Sequence, residues 1–401
     1  MTAWPIVPLD EIVKPAERWE APMTGVRYRQ LGVRLWGEGA YERESMDGSG
    51  TKYSKLNRVR AGDLVVNKIW ARNGSVAVVP DSLDNCYVSG EFPTFAPLSD
   101  RVDSRWLHWL TKTKPFWEQC DERSRGTSGK NRIRPEEFLS IVLPLPAVEE
   151  QRRIVGRIEC LMEQVRDAEA LKRQADDATG KLFPSVLASA FDQEHTGWQR
   201  CRVQDAVLSM DAGWSPQCVT KPAGFDEWGV LRTTSVQWGV FQPLENKTLP
   251  PGFAPRQELG VKAGDVLVTR AGPRKRVGVV AMVAADYPFL MISDKLIRLR
   301  PDTNQICPEF LAYALCSPYS QEYFVQRKTG LADAQVNISQ AILGATPVMF
   351  PRSLDEQYRI VREVQQVHAT SQLLNRGNRI IEHELESLVR SVLNSAFTGT
   401  M

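Results

Sequence analysis

The segment "EEQRRIV" at residues 149–155 returns as "DEQYRIV" at 355–361. One heptamer recurs easily by chance, but four further matches keep the same order. "WPIVPLDEIV" (4–13) aligns with "WQRCRVQDAV" (198–207), and "RQLGVRLWG" (29–37) with "RTTSVQWG" (232–239). "AGDLVVNK" (61–68) aligns with "AGDVLVTR" (263–270), and "SVLASAF" (185–191) with "SVLNSAF" (391–397). The offset grows from 194 to 206 along the chain, as loop insertions produce. An internal repeat dictates the fold more strongly than any local signal. The chain is a tandem duplication.

Each copy divides in the same way. Its first part carries short apolar runs bounded by Gly and Pro, such as "DLVVN", "SVAVV", "DVLVTR" and "VGVVAMV", which have the pattern of buried strands. Helical stretches such as "RWLHWLTKT" and "PEFLAYALC" lie between them, so each first part is a mixed α/β (α+β) domain. About forty residues almost free of Gly and Pro follow in each copy, the pattern of a long helix. The expected boundaries are 1–148 and 196–352 for the two domains, with 149–195 and 353–401 for the two helices.

In the second helix, positions 360, 364, 367, 371, 374, 378, 381, 385, 388 and 392 alternate in steps of four and three. All are Ile, Val or Leu except Ser371 and Asn378. That period marks a coiled-coil seam. In the first helix Ile154, Ile158, Leu161, Val165 and Ala168 keep the rhythm, which then slips by one at Leu171 and resumes through Ala175, Ala178, Leu182 and Val186. Pro184 is expected to kink or interrupt this helix. A duplicated chain whose halves pair like a homodimer is pseudo-twofold. The helices are therefore expected to run antiparallel, as a rod of about 60 Å holding two related heads apart.

A net charge of +2 gives no global field, so any nucleic-acid role rests on local basic patches. Such patches occupy matching places in the two copies. "RSRGTSGKNRIR" (123–134) gathers Lys130 and Arg132 around two glycines, and "NKIWARNG" (67–74) offers Lys68, Trp70, Arg72 and Asn73. In the second copy "TRAGPRKR" (269–276) gathers Arg270, Arg274, Lys275 and Arg276. Arg29 and Arg34 in the first copy, with Arg232 and Lys328 in the second, complete the candidate set. Lys and Arg suit phosphates, while Arg and Asn on loops suit guanine and adenine edges.

Catalytic and metal-binding signals are missing. "GTSGK" (126–130) has two residues between its glycines and Asn131 after the lysine, so it is not a nucleotide phosphate loop. No GxGxxG follows a strand, no HExxH or GxSxG occurs, and the seven cysteines form no CxxC pair. No cofactor is expected. His368 and His383 fall within a helix as expected surface residues. The unpatterned cysteines and the lack of any apolar run of membrane length fit a soluble cytoplasmic protein.

The paired "LPLPAVEEQRRIV" and "MFPRSLDEQYRIV", the helix after each and the "SVLASAF"/"SVLNSAF" endings resemble the specificity subunit of type I restriction–modification systems. "VRYRQLGVRLWGEGAYERE", "ARNGSVAVVP" and "GEFPTF" are similar to a first target-recognition domain, and "LRTTSVQWGVF", "VLVTRAGPRKRVGVV" and "MISDKLIRL" to a second. The second junction departs from the first in lacking Pro-Leu-Pro. The resemblance implies a non-catalytic subunit, each domain of which reads half of a bipartite double-stranded DNA sequence. It implies a coiled-coil spacer that docks two methyltransferase subunits, and a translocating restriction subunit that joins the complex. By this comparison Glu150, Gln151 and Arg153, with Glu356, Gln357 and Arg359, lie at the head–helix junctions, where they lock head to helix or contact the methyltransferase. A self-contained DNA methyltransferase or nuclease, and a coiled-coil scaffold without DNA contact, are the alternatives.

Overall fold

The computed structural model describes residues 4–125, 131–192 and 195–397. Contacts divide the chain into two compact units, Met1–Lys172 with Ile380–Met401, and Arg173–Arg379. The two long helices, Val148–Ala190 and Leu354–Phe397, each contribute one end to either unit.

The first unit contains a four-stranded antiparallel sheet in the order Val13–Pro15, Thr94–Pro97, Leu64–Val66, Val76–Val78. A five-stranded sheet lies beside it, with Arg27–Val33 paired antiparallel to Ala40–Asp47 and parallel to Tyr87–Val88. Strand Ile6–Pro8 pairs with Val142–Pro144 immediately before the first long helix. Short helices Ser104–Leu110, Lys114–Glu122 and Pro135–Leu139 complete the unit.

The second unit repeats this plan. Its four-stranded sheet runs Val207–Ala212, Leu296–Pro301, Val266–Thr269, Val280–Met282. In its other sheet Gly229–Leu231 pairs antiparallel to Asn246–Thr248 and parallel to Tyr287–Met291. Gln199–Arg202 pairs with Pro347–Phe350 before the second long helix. Helices Pro308–Cys316, Pro318–Arg327 and Gln340–Gly344 match the three of the first unit. The duplicated "AGD" is a duplicated turn: Gly62 and Gly264 have φ of 87° and 84°, which glycine adopts without a Cβ penalty. The carboxylates of Asp63 and Asp265 then accept the Arg60 and Lys262 backbone N–H groups at 2.7 and 2.9 Å.

Each long helix starts in the core of the unit that precedes it and ends in the other core. Ile154, Val155 and Ile158 from the first helix join Val392, Leu393 and Ala396 from the end of the second in one apolar cluster, where Phe397 packs edge-on to Trp106 at 4.6 Å. In the second unit Ile360, Val361 and Val364 join Phe183, Leu187 and Phe191, and Phe191 meets Phe310 at 5.0 Å. Within the second unit the two helices also pair antiparallel through polar side chains. Asn378 donates to Asp176 at 2.8 Å and the Ser371 hydroxyl donates to the Thr179 carbonyl at 3.2 Å. His368 stacks on Phe183 at 3.9 Å, so it is half-buried rather than a surface residue.

These contacts correct the expected seam in its second half. The first helix does not slip at Leu171: Thr179, Phe183 and Leu187 are buried, while Leu171 is 66% exposed and Ala175, Ala178 and Leu182 face outward. The apolar rhythm misleads because polar side chains make the mid-helix contacts. On the second helix Leu374, Ile381 and Leu388 are exposed for the same reason. The first helix also continues unbroken through Pro184. The ring removes one hydrogen bond, and burial of Phe183 and Leu187 on either side holds the helix across it. No helix among the described residues is long and apolar enough to cross a membrane.

Candidate nucleic-acid interface

The loop after the third strand of each four-stranded sheet is clamped by the same two backbone bonds. Lys68 N–H donates to the Glu91 carbonyl at 3.1 Å and Arg270 N–H to the Lys295 carbonyl at 2.9 Å. The Lys68 carbonyl accepts from Ile133 at 2.9 Å and the Arg270 carbonyl from Ile338 at 2.8 Å. Lys68 and Arg270 therefore occupy one position of the repeat. Three segments meet there: this loop, the segment ending at Glu91 or Lys295, and the chain before Ile133 or Ile338.

Most of the candidate cations gather on these segments. In the first unit the Lys68 ammonium donates to the Gly90 carbonyl at 2.7 Å and Arg132 pairs with Glu91 at 3.3 Å. Arg72 and Asn73 sit in a single 3-10 turn, Ala71–Asn73, closed by Gly74 at φ 74°. Trp70, just before it, is 45% exposed. Lys130 lies outside the described residues. In the second unit Arg274 pairs with Asp333 at 2.8 Å, and Lys328 donates to the Arg274 carbonyl at 3.2 Å. Burial, then the neighbouring Arg274, lower the Lys328 pKa. Lys275 is exposed.

Arg276 points the other way. Its guanidinium donates to Gln237 Oε1 at 2.9 Å and to the Thr233 and Val236 carbonyls at 2.6 Å, and burial pushes its pKa down. It ties the loop to the neighbouring 3-10 turn.

The remaining arginines stand apart from the three segments. Arg29 makes a two-pronged pair with Glu42 across adjacent strands at 3.0 and 2.8 Å and donates to the Ser82 carbonyl. That hydrogen bond holds the Glu42 carboxyl below the usual range. Arg34 lies over the Tyr41 ring at 5.1 Å. Arg232 donates to the Thr220 carbonyl. The sequence match equates Arg29 with Arg232, but the strand registers do not. Gln30 faces Tyr87 and Val230 faces Met291, so Arg29 lies within its strand and Arg232 follows the end of its own.

The same registers expose basic residues that the sequence patterns missed. Gln30 pairs with Arg43 across the antiparallel edge, and Val230 pairs with Lys247. Arg43 and Lys247 are thus equivalent, although nothing in "YERES" and "ENKTL" aligns them.

The junction residues divide into two kinds. Gln151 and Gln357 are fully buried and make the same three bonds. Gln151 accepts from Asp103 N–H at 2.8 Å and donates to the Arg101 and Pro146 carbonyls at 3.1 and 2.8 Å. Gln357 accepts from Cys307 N–H at 2.8 Å and donates to the Gln305 and Pro351 carbonyls at 3.0 and 2.8 Å. Each glutamine fastens the start of a long helix to the N-cap of a short one, and the second does so without the Pro-Leu-Pro turn. Glu150–Arg153 and Arg359–Glu363 are surface pairs along the helix, and the backbone N–H of Glu356 donates to the Ser353 hydroxyl. Among the described residues no group of three His, Cys, Asp or Glu is placed to hold a metal ion.

No protein-family model matches the chain. It is 43% identical over 156 residues to the type I restriction enzyme EcoEI specificity subunit of Escherichia coli, a match covering 39% of this chain and 26% of that one. It is 24% identical to the EcoKI specificity subunit of Escherichia coli K12 and 22% identical to the StySPI subunit of Salmonella potsdam, each match covering 75% of this chain and 66% of the relative. The matched part thus spans about two thirds or less of these curated relatives. In structure the chain is similar over its full length to a subunit of a solved type I R-M system, with 99% of that chain covered, a TM-score of 0.77 and 22% identity. The HsdS subunit of Thermoanaerobacter tengcongensis aligns over 100% of this chain and 98% of its own, with a TM-score of 0.64 and 23% identity. In sequence the chain is similar to the specificity subunits of type I restriction enzymes, and in fold it is similar to the HsdS subunit.

Proposed function

We propose that the chain is the non-catalytic DNA-reading subunit of a type I restriction–modification complex, with each α/β unit reading one half of a bipartite sequence. The duplicated clamp around Lys68 and Arg270 carries this reading, because it presents basic loops of the same origin twice. Lys275 and Lys68 serve the phosphates, and Arg270, Arg274, Arg72 and Asn73 serve base edges. Arg276 has a positioning role, since both its terminal nitrogens donate within the unit. Methyltransferase subunits, two per chain, dock on the paired helices, where Leu374, Ile381 and Leu388 leave apolar surface exposed. Restriction and translocase subunits join through them, and the complex works in the cytoplasm.

Methylome sequencing with and without the gene tests the proposal: a split adenine-methylated motif should vanish on deletion. Exchanging residues 1–148 for another such domain should change one half of that motif only. An unchanged methylome after deletion overturns it. Arg270→Ala should cost about 1–3 kcal/mol and relax selectivity at one base, whereas Lys275→Ala should weaken all sequences alike.

A further inference from the structure

The second unit contains a cleft of about 450 Å³ between Gly229–Leu231, Asn246–Thr248 and the 293–295 segment. Lys247, Lys295 and Arg232 line it, and neither lysine pairs with a carboxylate among the described residues. Its two carboxylates are already engaged, Glu245 by the Thr234 hydroxyl and Asp294 by the Ser215 hydroxyl. Ser293 also lines the cleft, is 94% buried and has a hydroxyl without a partner. A buried donor left without an acceptor is costly, so its persistence points to an acceptor supplied from outside.

The equivalent cleft of the first unit is different. It measures about 180 Å³, and Arg43 and Glu91 are its charged residues. Glu91 stands where Lys295 stands in the second unit, and the Ser89 hydroxyl accepts from Glu91 N–H at 3.4 Å. There the cleft is smaller, an acid paired with Arg132 stands in place of Lys295, and the serine hydroxyl accepts a backbone N–H.

We propose that the second unit's cleft seats a phosphodiester group of the bound duplex, held by Lys247, Lys295 and the Ser293 hydroxyl, and that the first unit has no such subsite. The inference rests on the DNA-reading function and adds a site on which the two halves grip the backbone unequally. Two free ammonium groups supply the charge, the serine supplies a fixed donor, and the cleft has room for the sugar next to the phosphate.

The test is duplex affinity of the full chain against salt concentration. Each phosphate contact adds about 0.9 to the slope of log affinity against log salt. A Lys247→Ala/Lys295→Ala double variant should lower that slope by about 0.9, the share of one phosphate, and Lys295→Arg should keep it. Ser293→Ala should weaken binding about five-fold at fixed salt with the slope unchanged. Lys114→Ala, on an exposed helix of the first unit, should change neither. An unaltered slope in the double variant, with salt-dependent wild-type binding, overturns the subsite and leaves DNA reading intact. Wild-type chain without salt-dependent duplex affinity overturns DNA reading as well. Deoxyadenosine monophosphate bound through these lysines, with no change in the duplex slope, would assign the cleft to free nucleotides and overturn the proposal.

Discussion

The two units share their backbone frame and differ in how its sheets are fastened together. In the first unit a buried neutral amide makes the joint beside the Arg18–Asp63 ion pair. Asn57, 2% exposed, donates to the Ala16 carbonyl and accepts from Arg18 N–H, both at 2.7 Å. In the second unit a cation makes it. Arg298, also 2% exposed, donates to the Gly260 and Glu258 carbonyls and to the Asp211 carboxylate at 2.7 Å. By contrast the two junction glutamines are the same to within a tenth of an ångström in every bond. After duplication, the joint between helix and head tolerated less change than the joint between sheets. A geometric reason is available: the glutamine satisfies three backbone groups at fixed positions, whereas two sheets can be bridged by any donor long enough to cross the gap.

Mutations can break this comparison. Arg298→Met should destabilise the second unit by about 4 kcal/mol, because it strands two carbonyls and the Asp211 carboxylate. Hydrogen exchange measured unit by unit should show the loss confined to residues of the second unit. Gln151→Ala and Gln357→Ala should each cost about 3 kcal/mol, one hydrogen bond at a time, and by similar amounts. Markedly unequal losses would end the idea of a common joint. Asn57→Ala should cost about 2 kcal/mol, visible as lost protection in the first unit only. The smallest effect is expected from acid. Burial, then Lys112, pushes His108 down to about 4, and burial lowers His368. His108 stays neutral in the folded chain down to about pH 4, while the unfolded chain protonates it near pH 6.5, so its share of stability is full above that value and falls as pH drops towards 4; the His368 contribution has the same sign. His108→Gln should flatten that part of the first unit's thermal-unfolding profile, and His368→Gln that of the second.

The sequence made the duplication, both long helices and the equivalence of Lys68 with Arg270 legible, because each rests on contiguous residues. It could not show the register of the first helix beyond Leu171. There Asp176 and Thr179 turn inward, and a search for apolar residues passes over them. Nor could it show Lys247 and Lys295, which strand pairing and a backbone bond bring together from separate segments. Arg276 looked like its basic neighbours, and only its inward hydrogen bonds set it apart. Local composition reveals which residues are basic; the topology decides which of them are free to meet a ligand.

The interlaced helix ends bear on how the protein is made. Val392, Leu393 and Ala396, which close the core of the first unit, leave the ribosome more than two hundred residues after Ile158. The earlier part of that core therefore waits for the later segment before its apolar interior is sealed. During that wait Trp106 and Ile158 lack their covering, and the nascent chain is most prone to stick to its neighbours.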